Sequence, residues 1–282
     1  MTETCKACHD PLSLTLDPED SGAEDSEETV PDDVLLPCGC HFHWQCLLNF
    51  SSTITSTLTC PSCNRHLPSN APTGGGSSSS ASAPPPTSTN PVILTHYTNE
   101  GGIQPSLDIY PFLTEETFLD AHPEARPARA LHTLAAEGEV QGMVNLLTDA
   151  DMRDEDEDDG DEEGGEAGEG EGGDQALSSS QLLTWRDPLN GGRSALHVAL
   201  EARQEEVVWL VLWLGSGARR EDFPEAVVQV ALAMGLPRRV DGAGGEGGED
   251  VRFVRDEAGR TAGDVCLELG QPWARLVEGG VV

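Results

Sequence analysis

Apolar positions along this chain recur with helical spacing mainly in its C-terminal half, and there they recur in copies. ARALHTLAAEGEVQGMVNLL at 128–147 is echoed by RSALHVALEARQEEVVWLVLWLGSGA at 193–218 and, more loosely, by DEAGRTAGDVCLELG at 256–270. Each copy predicts a turn-like approach and a short helix, and the first two predict a second helix after it. In the second copy Val207, Val208, Leu210, Val211, Leu212 and Leu214 leave the outer helix apolar on most of its faces. Such a helix has to be covered by neighbours, so the pattern predicts a stack rather than isolated helices. Trp209 and Trp213, four residues apart, share a helical face and are expected to pack within that stack. FPEAVVQVALAMGL at 223–236 predicts one more helix. Upstream, Thr114 is placed to cap a short helix over Glu115–Ala121 that Pro123 ends, within a connector at 91–125.

Composition sharpens the picture where the pattern fades. Residues 69–90 contain little beyond Ser, Pro, Gly, Ala and Thr and are expected to be a linker without a core. Across 282 residues the apolar share is 37%, and the aromatics are 5 Trp, 2 Tyr and 6 Phe, too few for one compact domain of this length. The net charge of −34 is concentrated: residues 149–174 hold 15 acids against one Arg, and residues 17–33 hold 9 acids and no base. Acidic runs this dense repel themselves, so disordered insertions are expected at 17–33 and near 151–178, with a Gly-rich one near 240–250. No basic stripe is present to release counterions from a phosphate backbone, which excludes nucleic acid as an expected partner. No stretch of the chain reaches the ~18 apolar residues of a membrane span, and no signal-peptide pattern opens it. A reducing compartment, cytoplasmic or nuclear, is the expectation. Lys6 is the only lysine.

Seven of the eight cysteines fall within residues 5–63, and Cys266 stands alone. In a reducing compartment such a cluster reads as metal binding. The spacing is Cys5-x2-Cys8, Cys38-x-Cys40, His43-x2-Cys46 and Cys60-x2-Cys63, four pairs that supply eight ligands. Zinc takes four soft ligands in a tetrahedron, so eight ligands imply two ions. His41 is a competing candidate for the imidazole. Two structural zincs would also supply folding free energy that a ~65-residue unit poor in aromatics lacks.

These motifs resemble two families. LPCGCHFHWQCLL at 36–48 and LTCPSCNRHL at 58–67 are similar to the central ligand run and closing knuckle of the RING finger. That resemblance covers residues 5–67 and implies a cross-brace fold with short strands and one helix, in a domain over 1–68. It implies that Cys5, Cys8, His43 and Cys46 hold the first zinc, while Cys38, Cys40, Cys60 and Cys63 hold the second. It further implies contact with a ubiquitin-conjugating enzyme through Ala7, Phe50, Pro61 and Asn64. Phe50 falls where many relatives have Trp, and Asn64 where active ligases often have a basic residue, which implies weak activity. The PHD finger, a histone-tail reader, shares the ligand order. Its members usually have a longer gap than the two residues between Cys40 and His43, and an aromatic where Leu58 stands.

The copies at 126–282 resemble ankyrin repeats. Ala130–Leu131–His132, Ser194–Ala195–Leu196–His197 and Thr261–Ala262 match the family's helix-opening turn, and Gly138 and Gly270 its turn between helices. Arg203 stands where that glycine is usual. The family period is about 33 residues. The copies here lie 65 and 67 apart, and the first gap shrinks to 37 once 151–178 is removed. The match implies that His132 and His197 are structural hydrogen-bonders, and Cys266 a buried inert thiol. Together the resemblances imply an all-α ankyrin-like stack behind a RING-type ubiquitin ligase, which docks a charged conjugating enzyme and recruits a protein substrate through the repeats. A non-enzymatic interaction adaptor is the alternative.

Overall fold

The computed structural model describes residues 3–15, 29–68, 91–158, 177–236, 238 and 249–282. The linker at 69–90 lies outside them, as do 17–28 of the N-terminal acidic run. The chain forms two compact units, Met1–Ala121 and His122–Val282.

In unit 1, β1 (Ser13–Thr15) pairs antiparallel with β2 (Thr29–Pro31). A second sheet runs in the order β4-β3-β5-β6, with β3 Asp33–Leu35, β4 His41–Phe42, β5 Leu94–Asn99 and β6 Gly102–Asp108. Val34 sits opposite Phe42 on one side and Tyr97 on the other. Residues 29–33, expected inside the acidic loop, are therefore mostly strand. Two helices, α1 (Trp44–Leu48) and α2 (Ser51–Thr57), replace the single one expected, with the break at Asn49–Phe50.

Residues 91–121 are more than a connector. They supply β5, β6 and α3 (Tyr110–Ala121), and with them the buried Ile93, Ile109 and Leu113, which join Val34, Phe42, Leu47 and Ile54 in one core. Burying each of these side chains is worth ~1.5–3 kcal/mol as an upper bound. Asp108 closes the hairpin: its carboxylate accepts from the backbone N–H of Ile93 at 2.9 Å and of Tyr110 at 3.2 Å. Thr114 is not a cap; its hydroxyl donates to the Tyr110 carbonyl one turn back, inside a helix that has already begun.

Unit 2 is helical. An inner layer of α4 (Arg126–Glu137), α7 (Ala195–Glu201) and α10 (Ala262–Leu269) packs in series, and α5 (Val140–Asp158), α8 (Glu205–Gly215) and α11 (Ala274–Glu278) each follow an inner helix and pack against it. One core runs through Leu131, Ala135, Leu196, Leu200, Val211 and Cys266. Glycine ends α4 because Gly138 has φ +83°, a left-handed cap whose N–H, with that of Glu139, returns to the Leu134 carbonyl. Arg203 holds the equivalent turn after α7 with φ +61°.

The ends of the expected insertions are structured. Helix α5 continues through Asp158, and Ser178 caps a further helix, α6 (Ser179–Thr184), with a reciprocal Gln181 contact. Only 159–176 of the expected 151–178 insertion lies outside the described residues. Likewise Glu249 and Asp250 are placed, and Asp250 accepts from the Gly217 N–H at 2.8 Å. The helix at 223–236 is α9 (Glu225–Ala233), packed on α8; α10 follows α7 directly, so α9 adds no inner helix.

The two repeat histidines differ. His197 bridges copies, paired with the Ser194 hydroxyl at 2.8 Å and donating to the Arg260 carbonyl at 3.1 Å. Among the described residues neither ring nitrogen of His132 has a hydrogen-bond partner of good geometry, contrary to the expectation for it. It is 3% exposed, meets Trp185 edge-on at 5.1 Å, and lies 3.9 Å from the Asp187 carboxylate that Arg129 engages. Cys266 is fully buried, and that burial raises its thiol pKa to about 11.

Candidate metal centre

Two of the ligand pairs sit on loops of the same construction. In the first, the Cys5 N–H donates to Asp10 and His9 returns to the Cys5 carbonyl, with His9 at φ +70°; Thr4 and Pro11 bridge the ends. In the second, Cys60 donates to Arg65 and Asn64 returns to the Cys60 carbonyl, with Asn64 at φ +57°; Thr59 and His66 bridge the ends. A left-handed residue four positions after the leading cysteine folds each loop back so that both sulfurs face one point. Asn is among the few non-glycine residues that tolerate this backbone, which gives Asn64 a conformational reason to be where it is.

The other pairs come from the β3–β4 turn and the start of α1. Gly39, at φ +86°, lets Cys38 and Cys40 flank a tight turn closed by Leu36 N–H to the Cys40 carbonyl at 2.9 Å. His43 precedes α1, and Cys46 lies one turn along it.

The fold interleaves these pairs. Cys5, Cys8, His43 and Cys46 converge in one cluster and Cys38, Cys40, Cys60 and Cys63 in the other, with the ligand atoms of each within 4.8 Å of one another. Zinc–sulfur bonds of ~2.3 Å and zinc–nitrogen bonds of ~2.0–2.1 Å make tetrahedron edges of about 3.6–3.8 Å. The His43 Nδ1 lies 3.3 Å from the Cys8 sulfur and 3.7 Å from that of Cys46, so the residues fit such an ion. The opposite nitrogen, Nε2, donates to the Pro11 carbonyl at 2.7 Å. That bond fixes the tautomer and leaves the Nδ1 lone pair for metal, the usual support for a ligating imidazole. The sequence carried no signal for Pro11.

Electrostatics point the same way. Burial raises the Cys46 thiol to about 12, helped by the neighbouring Cys5 and Cys8, and burial pushes Cys38 further above the usual thiol range. Burial also raises Cys5, but N–H donors from Cys8, His43 and Ala7 outweigh it and leave that thiol at about 7. The Arg65 N–H lowers Cys63, also to about 7. Crowded sulfurs, three in the first cluster and four in the second, of which some resist ionisation, make sites that a divalent cation stabilises by ionising all of them.

His41 belongs to neither cluster. Its Nδ1 lies 2.8 Å from Asp33 and its Nε2 3.1 Å from Glu3, a third group that the sequence did not single out. Nearby, the buried Asp32 accepts from the Trp44 N–H and the Tyr97 hydroxyl, each at 3.2 Å, tying the start of α1 to β5. Of the residues expected to meet a conjugating enzyme, Asn64 is exposed, while Ala7, Pro61 and Phe50 are half-buried. The Phe50 ring meets Phe42 edge-on at 6.5 Å.

Unit 1 is thus a small sheet-and-helix domain with two interleaved Cys/His clusters able to bind zinc. No family model, curated protein or solved structure matches this chain.

Proposed function

We propose that the chain is a RING-type ubiquitin ligase whose helical unit, an ankyrin-like repeat stack, recruits the protein substrate. The observation that carries this reading is the interleaving: the first and third ligand pairs converge on one site, the second and fourth on the other. Zinc at these sites acts as a structural tie and takes no part in chemistry. The chain then needs no nucleophile. Ala7, Phe50 and Pro61 would seat a conjugating enzyme charged with ubiquitin, and holding that conjugate in one arrangement raises the rate of attack by a substrate lysine through positioning.

A second reading, an adaptor that only binds proteins, is favoured by Asn64. Its short neutral amide cannot bridge two proteins as a planar guanidinium does. Discharge of ubiquitin from a charged conjugating enzyme onto free lysine separates the two. The assay does not depend on self-modification, for which Lys6 offers the only side-chain amine. The ligase reading expects slow discharge that Phe50→Ala abolishes. Asn64→Arg speeds it roughly tenfold if ~1.4 kcal/mol of transition-state positioning is recovered. No discharge across a broad enzyme panel, with either residue at 64, would establish the adaptor.

A further inference from the structure

We propose that the cleft between α8 and α9 in unit 2 is a docking groove for a basic amphipathic helix of a partner protein. The inference goes beyond the ligase reading and does not depend on it.

The cleft has a volume of about 630 Å³ and two matched walls. From α8 it is lined by Glu206, Trp209, Leu210 and Trp213, and from α9 by Val227, Val230, Ala231 and its C-cap Met234. Both sets follow the i, i+3, i+4, i+7 spacing of a single helical face. Two such ridges side by side make the groove into which the side-chain row of a third helix fits. The cleft is not enclosed: Val230 is 57% exposed and Met234 37%. A small compact ligand at the floor would leave that apolar wall in water, whereas a helix laid along it covers both.

The groove is held open by contacts that do not need an occupant. The Trp213 indole N–H donates to the Leu236 carbonyl at 3.3 Å, and Phe223 packs on Trp213 and Trp209 with ring centres 5.3 and 5.9 Å away. At one end the Gln204 amide donates to the Ala136 carbonyl at 2.8 Å and fixes the turn around Gly138.

Charge selects the occupant. Glu205 and Glu206 stand exposed at the α8 N-terminal end of the cleft. Among the described residues no Lys or Arg belongs to its lining, and Arg238, which lies 5.3 Å from the Trp213 ring centre, is turned to the Ser216 carbonyl. The acidic end is therefore where a cationic flank docks. An acidic helix would be repelled, while one with Lys or Arg flanking its apolar stripe would be drawn in.

The test uses the full chain and a synthetic probe: a peptide of about 18 residues, long enough to hold helicity, with Leu at helical spacing and Lys and Ala elsewhere. A scrambled peptide of identical composition controls for attraction to an acidic protein, and a Glu-for-Lys version controls for apolar contact alone. Calorimetric titration at physiological salt should give at least tenfold tighter binding for the patterned Lys peptide than for either control. The double variant Val230→Ser/Met234→Ser should lose about tenfold, and Glu205→Gln/Glu206→Gln about threefold, each with an unchanged circular dichroism spectrum. Both pairs are exposed or on the rim, so neither variant empties the core. Equal binding of patterned and scrambled peptides overturns the proposal, as does indifference to both double variants, or uptake of a small apolar dye with no binding of the peptide. Ubiquitin discharge is unaffected by any of these outcomes, so the two proposals fail separately.

Discussion

His41 and His43 lie two residues apart in the sequence, yet one faces two carboxylates and the other three thiols. Strand alternation does not separate them; the end of β4 does, since His43 leaves the strand to start α1. His43→Ala is expected to remove one of two zincs, and His41→Ala to retain both, as read by elemental analysis of the purified chain. His132 gives a second expectation. Burial, with Arg129 beside it, depresses its pKa from 6.5 to about 3. Between those values the unfolded chain binds the extra proton, so stability is full above pH 6.5 and falls as the medium becomes more acidic. At pH 5 the loss is about 2 kcal/mol from this residue. His132→Leu, which fills similar space without a proton to bind, should flatten that part of the stability–pH curve in denaturant titrations. Spacing made the eight ligands legible at this scale. The Pro11 carbonyl that orients His43 and the Asp32 carboxylate that anchors the start of α1 were not, because they act through tertiary contacts that no local pattern encodes.

Helices were more legible than strands. The outer helix α8 was readable because seven of its residues are buried, which forces an apolar run into the sequence. The paired turns after α4 and α7 were readable at Gly138, and Arg203 takes up the same left-handed backbone despite its side chain. Strands β5 and β6 were missed, although Asn99–Glu100–Gly101–Gly102 is turn chemistry between two β-rich runs. The reason lies in their exposure: β6 is largely exposed and carries a proline, so it shows no clean alternation. The contribution of this segment is testable. Leu113 on α3 is fully buried against the core that holds the metal ligands. Leu113→Ala should therefore cost ~2–5 kcal/mol of unit 1 stability, measured by denaturant unfolding of the zinc-loaded chain. A loss below ~0.5 kcal/mol would return 91–121 to the status of a connector.

The molecule as a whole divides its stability between two sources. Unit 2 rests on a continuous apolar core, whereas unit 1 has a smaller core, with two Cys/His clusters set around it. Chelation should therefore unfold unit 1 and leave the helical signal of unit 2 intact, since structural zinc contributes ~10 kcal/mol or more to a domain that needs it. Every functional proposal for unit 1 depends on both clusters binding metal at once. Native mass spectrometry of the full chain, purified without added metal, measures that directly. The account predicts a mass increment of two zincs, falling to one in His43→Ala. A chain that carries no zinc, or that saturates at one with all eight ligands present, would contradict it.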